Sequence, residues 1–328
     1  MKKRKPIDGD AILTNDGFLF YTFGYEHPKG RYYGFLKYIP IDYQKLFNIE
    51  WLPTKWILNG HTVVRPAELY SPRSYREILN TLKGHFQKYI WFNDDLKKEM
   101  ITVPENEIEK IYRPNESLMK LYNKKEKDKL EIAAIQIIEL LAEHSGVSIS
   151  NFGIHGSISL GSHDPDRSDV DISVYGALNF RQVLDSMKAL EKNKIIQISR
   201  RNDIERIKQN TAFYKNTRFV VNATRLPEEI PRYDRTHYAI GIISAVCKVI
   251  DDMESVFRPA IYNVKCENQT INVPIKNVVS NIGMHRFLAK KNDKIRVKGI
   301  LEKIHENNKK YYEIVIGTGA PDEFFKVL

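Results

Sequence analysis

Short apolar runs separated by turn residues occupy the first forty positions of the chain. The runs at residues 11–14 and 18–23 flank residues 15–17, Asn-Asp-Gly, a typical hairpin sequence. A second turn leads into an aromatic run at residues 32–39. This pattern predicts a small antiparallel sheet. Aromatic sequence interrupted by prolines follows, with one helix predicted at residues 74–82.

The clearest helical pattern lies at residues 130–141. Apolar residues recur there at spacings of three and four, namely at Leu130, Ala133, Ala134, Ile137, Ile138 and Leu141. This stripe predicts a helix with one buried face and with Glu131, Gln136 and Glu139 on its outer face. We expect Gly146 to end the helix.

Strand and helix patterns alternate through the middle of the chain. They predict strands around a turn at 148–176, a helix at 180–191, a strand at 195–198, a helix at 203–209 and a strand at 218–224. Such alternation is typical of an α/β core.

From residue 231 onward the sequence is β-rich. Strands are predicted at residues 239–250, 260–266, 270–273, 294–304 and 311–316. Five short strands predict a small β-barrel-like domain, with an OB fold as one option. The fold class is therefore an α/β (α+β) core with a mixed sheet, flanked by two β-rich regions. The predicted domains are residues 1–115, 116–230 and 231–328.

Composition and charge restrict the class of protein. The chain has 328 residues, of which 42% are hydrophobic and 28% charged, as in soluble globular proteins. No apolar run approaches the roughly 18 residues of a membrane span, and no signal peptide is visible. We therefore expect a cytoplasmic protein. Its net charge of +10 favours a polyanionic partner, although a lysine-rich composition of the source proteome would give the same bias.

The two cysteines, Cys247 and Cys266, have no CxxC spacing. Two free thiols in a reducing compartment are the expected state, with a disulfide as the alternative. The spacing gives no indication of a zinc site.

Candidate chemistry is concentrated in residues 153–176. Asp169 and Asp171 are two positions apart in a predicted strand, so their carboxylates point to the same face. Adjacent carboxylates repel each other unless a cation lies between them, and hard oxygen ligands suit Mg²⁺ or Mn²⁺. Upstream, Gly156 allows the backbone to approach a phosphate, and Ser157 offers a hydroxyl to bind it. A helix that began there would add its amides.

Gly156-Ser157, a short helix and loop, and then Ser168-Asp169 and Asp171 together resemble the signature of the DNA polymerase beta nucleotidyltransferase superfamily. The rest of the chain resembles archaeal predicted nucleotidyltransferases, for example in the segment at residues 255–262. The resemblance implies transfer of a nucleoside monophosphate from a nucleoside triphosphate to an acceptor. It also implies Asp169 and Asp171 as catalytic metal ligands, with Gly156, Ser157 and Ser168 binding the nucleotide.

The third carboxylate of that superfamily has no clear equivalent. The strand expected to carry it has Asn222 at the polar position, and an amide cannot act as a base. Glu205 and Asp203 are the nearest acids that could substitute. The alternative function is therefore a weakly active or inactive protein of the same fold that binds nucleotide or nucleic acid.

Several further side chains have both a functional and a purely structural interpretation. His155 precedes the glycine and is either a phosphate contact or a packed histidine, and His163 is expected to be exposed. Arginines that could neutralise a triphosphate, or simply face solvent, are Arg200, Arg201, Arg218 and Arg225. A basic cluster in the C-terminal region could bind nucleic acid or form a soluble strand edge, and consists of Lys290, Lys291, Lys294, Arg296 and Lys298.

Overall fold

The computed structural model describes residues 4–69, 72–230, 235–307 and 309–328. The chain is divided into two compact units. The first unit comprises Met1–Tyr89 and Thr102–Leu226, and the second comprises Ile90–Ile101 and Pro227–Leu328. The fold is α+β with several sheets, some of them mixed. Residue 231, the predicted start of the third domain, lies outside the described residues.

The N-terminal part of the first unit is an antiparallel sheet, as its alternating apolar pattern predicts. Its elements are β1 (Ala11–Thr14), β2 (Leu19–Thr22), β3 (Arg31–Pro40), β4 (Trp56–Leu58), β5 (His61–Val64), α1 (Pro72–His85) and β8 (Ile108–Tyr112), and between α1 and β8 the chain forms β6 (Ile90–Asn93) and β7 (Lys98–Pro104). The strand order is β4-β5-β3-β2-β1-β8, and the end of β7 also pairs with β3. The β6–β7 hairpin belongs mainly to the second unit.

A five-stranded mixed sheet forms the other part of the first unit. Its elements are α2 (Pro114–Asn123), α3 (Lys129–Ser145), β9 (Phe152–His155), α4 (Gly156–Leu160), β10 (Val170–Tyr175), α5 (Ala177–Lys192), β11 (Gln197–Ile198), α6 (Asp203–Lys208), β12 (Thr211–Tyr214) and β13 (Thr217–Thr224). The strand order is β11-β12-β13-β10-β9, and only β10 and β13 are parallel neighbours. Helices α3 and α5 pack on each other and on β10, where they cover its apolar face.

Helix α3 has the predicted apolar stripe but differs at Glu131. Leu130, Ile137 and Leu141 are buried, and the helix ends at Gly146. Glu131, predicted to be exposed, is buried because it closes a capping box. The Asp128 side chain accepts hydrogen bonds from the Leu130 and Glu131 amides, and Glu131 accepts one from the Asp128 amide. The exposure of Glu131 was predicted wrongly because the spacing of apolar residues carries no information about a capping side chain.

The second unit contains a six-stranded sheet. Its strands are β14 (Arg235–Asp251), β15 (Ala260–Gln269), β16 (Ile275–Ser280), β17 (Lys294–Glu306), β18 (Lys309–Ile316) and β19 (Phe324–Val327). The order is β14-β15-β16-β18-β17-β19, and β14 also pairs with β17. The strand predicted at residues 270–273 is wrong. Those residues form a turn, and β16 begins only after Pro274, which has no amide hydrogen to donate to a ladder.

The two cysteines form a disulfide, which corrects the expectation of free thiols. Cys247 on β14 is the direct cross-strand partner of Cys266 on β15, and their Cα atoms are 3.8 Å apart. The sequence spacing of 19 residues could not reveal this register.

Among the described residues, no helix combines the length and the apolar character needed to cross a membrane.

Candidate active site

The aspartate pair lies on the face of the five-stranded sheet opposite helices α3 and α5. Asp169 directly precedes β10 and Asp171 is its second residue, whereas Val170 and Ile172 point to the opposite face and are fully buried. On the parallel neighbour β13, Phe219 and Val221 share the buried face. The alternation predicted from sequence therefore directs both carboxylates away from the helical layer.

Gly156 lies against the second aspartate. Residue His155 on β9 is the cross-strand partner of Asp171, and Gly156 follows it at the start of α4. Gly156 has a positive φ of 67°, and a Cβ atom at this position would lie 2.1 Å from Asp171 Oδ2. Only glycine satisfies both the backbone conformation and the space. The glycine of the predicted motif is therefore in contact with its aspartate.

The other predicted nucleotide-binding residues have structural contacts of their own. Ser157 is in the first turn of α4, and its carbonyl oxygen accepts a hydrogen bond from the Ser162 amide at 3.0 Å. The Ser168 hydroxyl accepts a hydrogen bond from the Asp164 amide at 2.9 Å. Ser168 thus stabilises the turn that leads into Asp169.

Three cationic side chains surround the pair. Arg218 on β13 forms a short ion pair with Asp169, and its other nitrogen lies 3.7 Å from Glu205. Lys37 on β3 and Arg65, just after β5, come from the N-terminal sheet. Both are close enough to Asp171 for their charges to act on its ionisation. The site therefore combines two acids with three cations, all within the first unit.

Burial opposes the ionisation of both carboxylates. Burial and the neighbouring charge of Asp171 raise the pKa of Asp169, and Arg218 opposes this shift. Burial also raises the pKa of Asp171, and the charges of Lys37, Arg218 and Arg65 oppose it. A bound cation would stabilise the ionised form of both carboxylates, because it would remove their mutual repulsion and offset part of the cost of burying their charges.

The strand register shows where Asn222, the residue expected at the third-carboxylate position, lies relative to the aspartates. Asn222 faces the same side as the aspartates but is opposite Ser173, and the direct partner of Asp171 is Val220. Of the two substitute acids, Asp203 is exposed and paired with Arg206, whereas Glu205 accepts a 2.6 Å hydrogen bond from Ser199 Oγ and contacts Arg218. Glu205 is thus linked to Asp169 through one arginine.

A second acidic group lies at the start of α3. Ligand atoms of Asp128, Glu131 and His163 lie within 4.8 Å of one another. Lys124 Nζ is 2.7 Å from both Glu131 oxygens, and His163 Nε2 is 2.7 Å from Asp128 Oδ2. Burial opposes ionisation of Asp128, but the amides and His163 lower its pKa overall. The three side chains therefore could hold a metal ion, while in this structure they form a capping network in which the Lys124 ammonium is bound to Glu131.

His163 was expected to be exposed and is instead nearly buried, at 9% side-chain exposure. Its bond to Asp128 ties the loop before Asp169 to the first turn of α3. Arg225 is buried and its guanidinium lies over the Tyr25 ring, whereas Arg200 pairs with Glu191. Arg218, predicted as one of four equivalent arginines, contacts Asp169.

Lys37 and Arg65 were not identified from sequence. They are more than one hundred residues from Asp171 along the chain. The lysine is at one position of a ten-residue strand with alternating burial, which predicts an outward side chain and nothing more. No local pattern could have connected them with the aspartates.

Comparison with known proteins gives a relative but no function. An uncharacterized protein of Methanocaldococcus jannaschii is 28% identical to this chain, over 97% of this chain and 98% of that protein. No protein-family model matches the chain, and no solved structure matches it. The similarity extends over nearly the whole length of both proteins and therefore includes both units of this chain.

Proposed function

We propose that this protein is a metal-dependent nucleotidyltransferase, which transfers a nucleoside monophosphate from a nucleoside triphosphate to an acceptor. The observation that carries the proposal is the contact between Gly156 and Asp171 beside Asp169. A glycine that leaves no room for a side chain brings the backbone and a carboxylate pair together on one face. This is the arrangement that the Gly-Ser and Asp-x-Asp resemblance implies.

The donor atoms fit Mg²⁺ or Mn²⁺. Two carboxylates two residues apart provide hard oxygen ligands on one face, and phosphate oxygens and waters complete an octahedral shell. When bound, the ion would neutralise phosphate charge and polarise the α-phosphate. Asp169 and Asp171 would hold it. Lys37 and Arg65 would offset the remaining charge of the triphosphate, because charge-assisted bonds to phosphate are the strong ones.

Arg218 has a role in the absence of metal. Its guanidinium neutralises Asp169, so the pair does not carry two uncompensated charges. A divalent ion at Asp169 would compete with that contact. We infer that Arg218 turns toward a substrate phosphate or toward Glu205 when the ion binds.

The proposal is tested by calorimetry with Mg²⁺ or Mn²⁺ and each nucleoside triphosphate. We expect one triphosphate to bind the wild-type protein only with metal. The double variant Asp169→Ala, Asp171→Ala should abolish this binding. The matched control is Asp42→Ala, Asp185→Ala, which removes two exposed acids of the same unit. Equal binding by the aspartate variant and the control would refute the site.

A second candidate function is nucleotide binding without transfer. The amide at Asn222 favours it, since the strand beside β10 has no carboxylate directly opposite either aspartate. The two candidates differ in turnover. Release of pyrophosphate from a bound triphosphate in the presence of RNA, DNA, protein and small-molecule acceptors would support the transferase, and tight binding without release would support the second candidate.

We also propose that β14 to β18 form an OB-like barrel that binds nucleic acid. The pairings support this, because they run β14-β15-β16-β18-β17 and return to β14, with β16 and β18 parallel. On the outer surface, Arg296 on β17 is the direct partner of Lys326 on β19, and both are exposed. Directly opposed like charges are destabilising. A polyanion would relieve that repulsion.

Within the basic cluster, two lysines already have acidic partners. Lys294 pairs with Glu267 at 2.7 Å, and Lys298 is 3.5 Å from Asp322. We therefore expect Arg296→Glu, Lys326→Glu to weaken binding of single-stranded RNA or DNA and to reduce its salt dependence. The variant Lys45→Glu, Lys55→Glu makes the same charge change at exposed sites of the first unit. If both double variants lose the same affinity for nucleic acid, net charge alone explains the binding, and the proposed interface at Arg296 and Lys326 is wrong.

A further inference from the structure

A cleft opens in the first unit at the β11 edge of the five-stranded sheet. It has a volume of about 570 Å³ and is lined by Gln197, Ile198, Ser199, Arg200, Arg201, Phe213 and Asn216. These residues belong to β11, β12 and the segments that join them to their neighbours. Arg200 and Arg201 were predicted from sequence either to neutralise a triphosphate or to face solvent, and the other lining residues had no predicted role.

Strand register puts the cleft on the same face as the aspartates. Gln197 is the cross-strand partner of Phe213, and Phe213 is the partner of Arg218. Arg218 in turn forms the ion pair with Asp169. Cross-strand partners share a face of the sheet. A continuous row of side chains therefore leads from the cleft across β13 to the first aspartate.

The wall of the cleft is also connected to the site. The Ser199 hydroxyl donates a 2.6 Å hydrogen bond to Glu205, which also accepts one from the Arg201 amide at 3.0 Å. Glu205 contacts Arg218 at 3.7 Å. The backbone at residues 199–201 is thus held in place relative to Arg218.

The chemistry of the cleft suits a ring that carries an anionic group. The Arg201 guanidinium carbon lies 5.0 Å from the centroid of the Phe213 ring. The neighbouring Arg200 is held by Glu191 through two hydrogen bonds of 2.7 and 2.6 Å. The exposed guanidinium covers one face of the half-buried phenyl ring, and we expect it to turn from the ring toward a phosphate and to leave that face to a planar base.

We propose that this cleft binds the acceptor and that the acceptor is a nucleotide unit, with its base on Phe213 and its phosphate at Arg201. The inference rests on the proposed transferase function. Gly156 and Ser157 lie on the β9 side of β10, whereas the cleft lies on the β13 side. Attack in line with the leaving group requires the acceptor and the pyrophosphate to be on opposite sides of the α-phosphorus.

In this arrangement an acceptor hydroxyl enters from the β13 side. Its oxygen forms a bond to the α-phosphorus, and the bond from that phosphorus to the bridging oxygen breaks. Pyrophosphate leaves with the electron pair, and the hydroxyl proton is released to solvent. The cleft residues take no part in the bond changes and only position the acceptor.

The test uses the full chain with its triphosphate site filled. Mg²⁺ and a triphosphate analogue with a methylene group between the α- and β-phosphates are kept saturating. The four ribonucleoside 5′-monophosphates and a ribodinucleotide are then titrated by calorimetry. We expect at least one probe to bind, and Phe213→Ala and Arg201→Gln each to weaken it about tenfold. Phe213→Tyr and the matched control Arg206→Gln should stay within about twofold.

The outcomes separate the two proposals. If the analogue binds but no probe does, or if a bound probe is indifferent to both cleft variants, the acceptor site is wrong while the transferase proposal survives. If the analogue does not bind, the transferase proposal fails, and the same probes titrated without it show whether the cleft binds nucleotides at all. Analogue binding by each variant confirms that it is folded. Tighter binding of the dinucleotide than of any monophosphate would identify a nucleic-acid end as the acceptor.

Discussion

Gly156 lies directly against the carboxylate of Asp171. A Cβ atom at the glycine would be 2.1 Å from Oδ2, and the glycine backbone has φ of 67°. Asp171 pairs with His155 at the end of the antiparallel neighbour β9, and Gly156 directly follows His155. The position of the second carboxylate is therefore set by the absence of a side chain fifteen residues earlier in the sequence.

This contact predicts a specific effect of Gly156→Ala. The new methyl group must displace the Asp171 carboxylate, so metal-triphosphate binding should be lost and the melting temperature lowered. Gly161→Ala is the matched control. Gly161 has φ of 68°, and a Cβ there would meet nothing within 4 Å. It bears the same backbone strain, about 1 kcal/mol, without the clash.

Calorimetry and thermal unfolding of both variants would check the prediction. We expect Gly161→Ala to melt slightly lower than the wild type and to bind the metal-triphosphate complex normally. If the two variants lose binding equally, backbone strain rather than contact with Asp171 is the cause, and the role given to Gly156 is wrong.

The cations from the N-terminal sheet predict a second effect. Lys37 acts on Asp171 by its charge, and its ammonium group lies 4.3 Å from the centroid of the Tyr21 ring. If it binds a substrate phosphate, Lys37→Met should weaken metal-triphosphate binding by roughly tenfold or more, the value of a charge-assisted hydrogen bond. The methionine retains most of the contact with the aromatic ring.

The control for this prediction is Lys45→Met, an exposed lysine of the same unit. It should leave the dissociation constant within about twofold. Unchanged binding in Lys37→Met would remove the N-terminal sheet from the substrate site and would leave Lys37 as a counter-charge to Asp171 only.

The features that sequence predicted well are those with a local physical cause. The buried face of β10 follows from the alternation of Val170, Ile172 and Val174, and the ends of α3 follow from its apolar stripe and Gly146. The alternation of strands and helices in the middle of the chain was also predicted, because each element has its own apolar period. In each case neighbouring residues alone determine the outcome.

The features that sequence did not predict depend on register between distant strands. The disulfide requires Cys247 and Cys266 to be direct partners, and the position of Asn222 opposite Ser173 depends on how β13 is aligned with β10. The same holds for Arg65, which approaches Asp171 from another sheet. Periodicity gives the face of a side chain but not its neighbour on the next strand.

A buried acidic pair in the second unit predicts a dependence of stability on pH. Glu313 on β18 is the direct partner of Glu302 on β17, and both are buried. Burial raises the pKa of Glu313, although Asn277 donates to it at 2.7 Å and Arg235 and His237 are near. The protonated form is therefore favoured in the folded state, and this contribution is lost as pH rises through the folded pKa.

Glu313→Gln should remove that dependence, since glutamine stays neutral and can still accept from Asn277. Its free energy of unfolding should match the wild type at low pH and exceed it increasingly as the pH rises from the ordinary glutamate pKa to the raised pKa of the folded state. Denaturant unfolding across this range would measure the difference, with the exposed Glu126→Gln as control. A difference that does not change with pH would contradict the raised pKa.

The last prediction concerns Asn222, which shares a face with the aspartates. Its direct partner is Ser173, and Val220 is the partner of Asp171, so Asn222 is two residues farther along β13. A strand rises by about 3.3 Å per residue, which displaces Asn222 by roughly 6.6 Å from the level of Asp171. A carboxylate there is too far to share one ion held in a shell of about 2.1 Å radius by both aspartates.

It can, however, reach a second ion. Two-metal sites hold their ions about 3.5–4 Å apart, so Asn222→Asp should raise the number of Mn²⁺ ions bound with the triphosphate from about one to about two. Any transferase activity should rise with it, and the metal-free protein should melt lower because a third carboxylate adds repulsion. Asn222→Ala supplies the control, because it removes the amide without adding charge.

Equilibrium dialysis with Mn²⁺ would count the ions. A count that stays at one in Asn222→Asp would mean that Asn222 does not occupy the third-carboxylate position, and Glu205, already linked to Asp169 through Arg218, would then be the acid to replace.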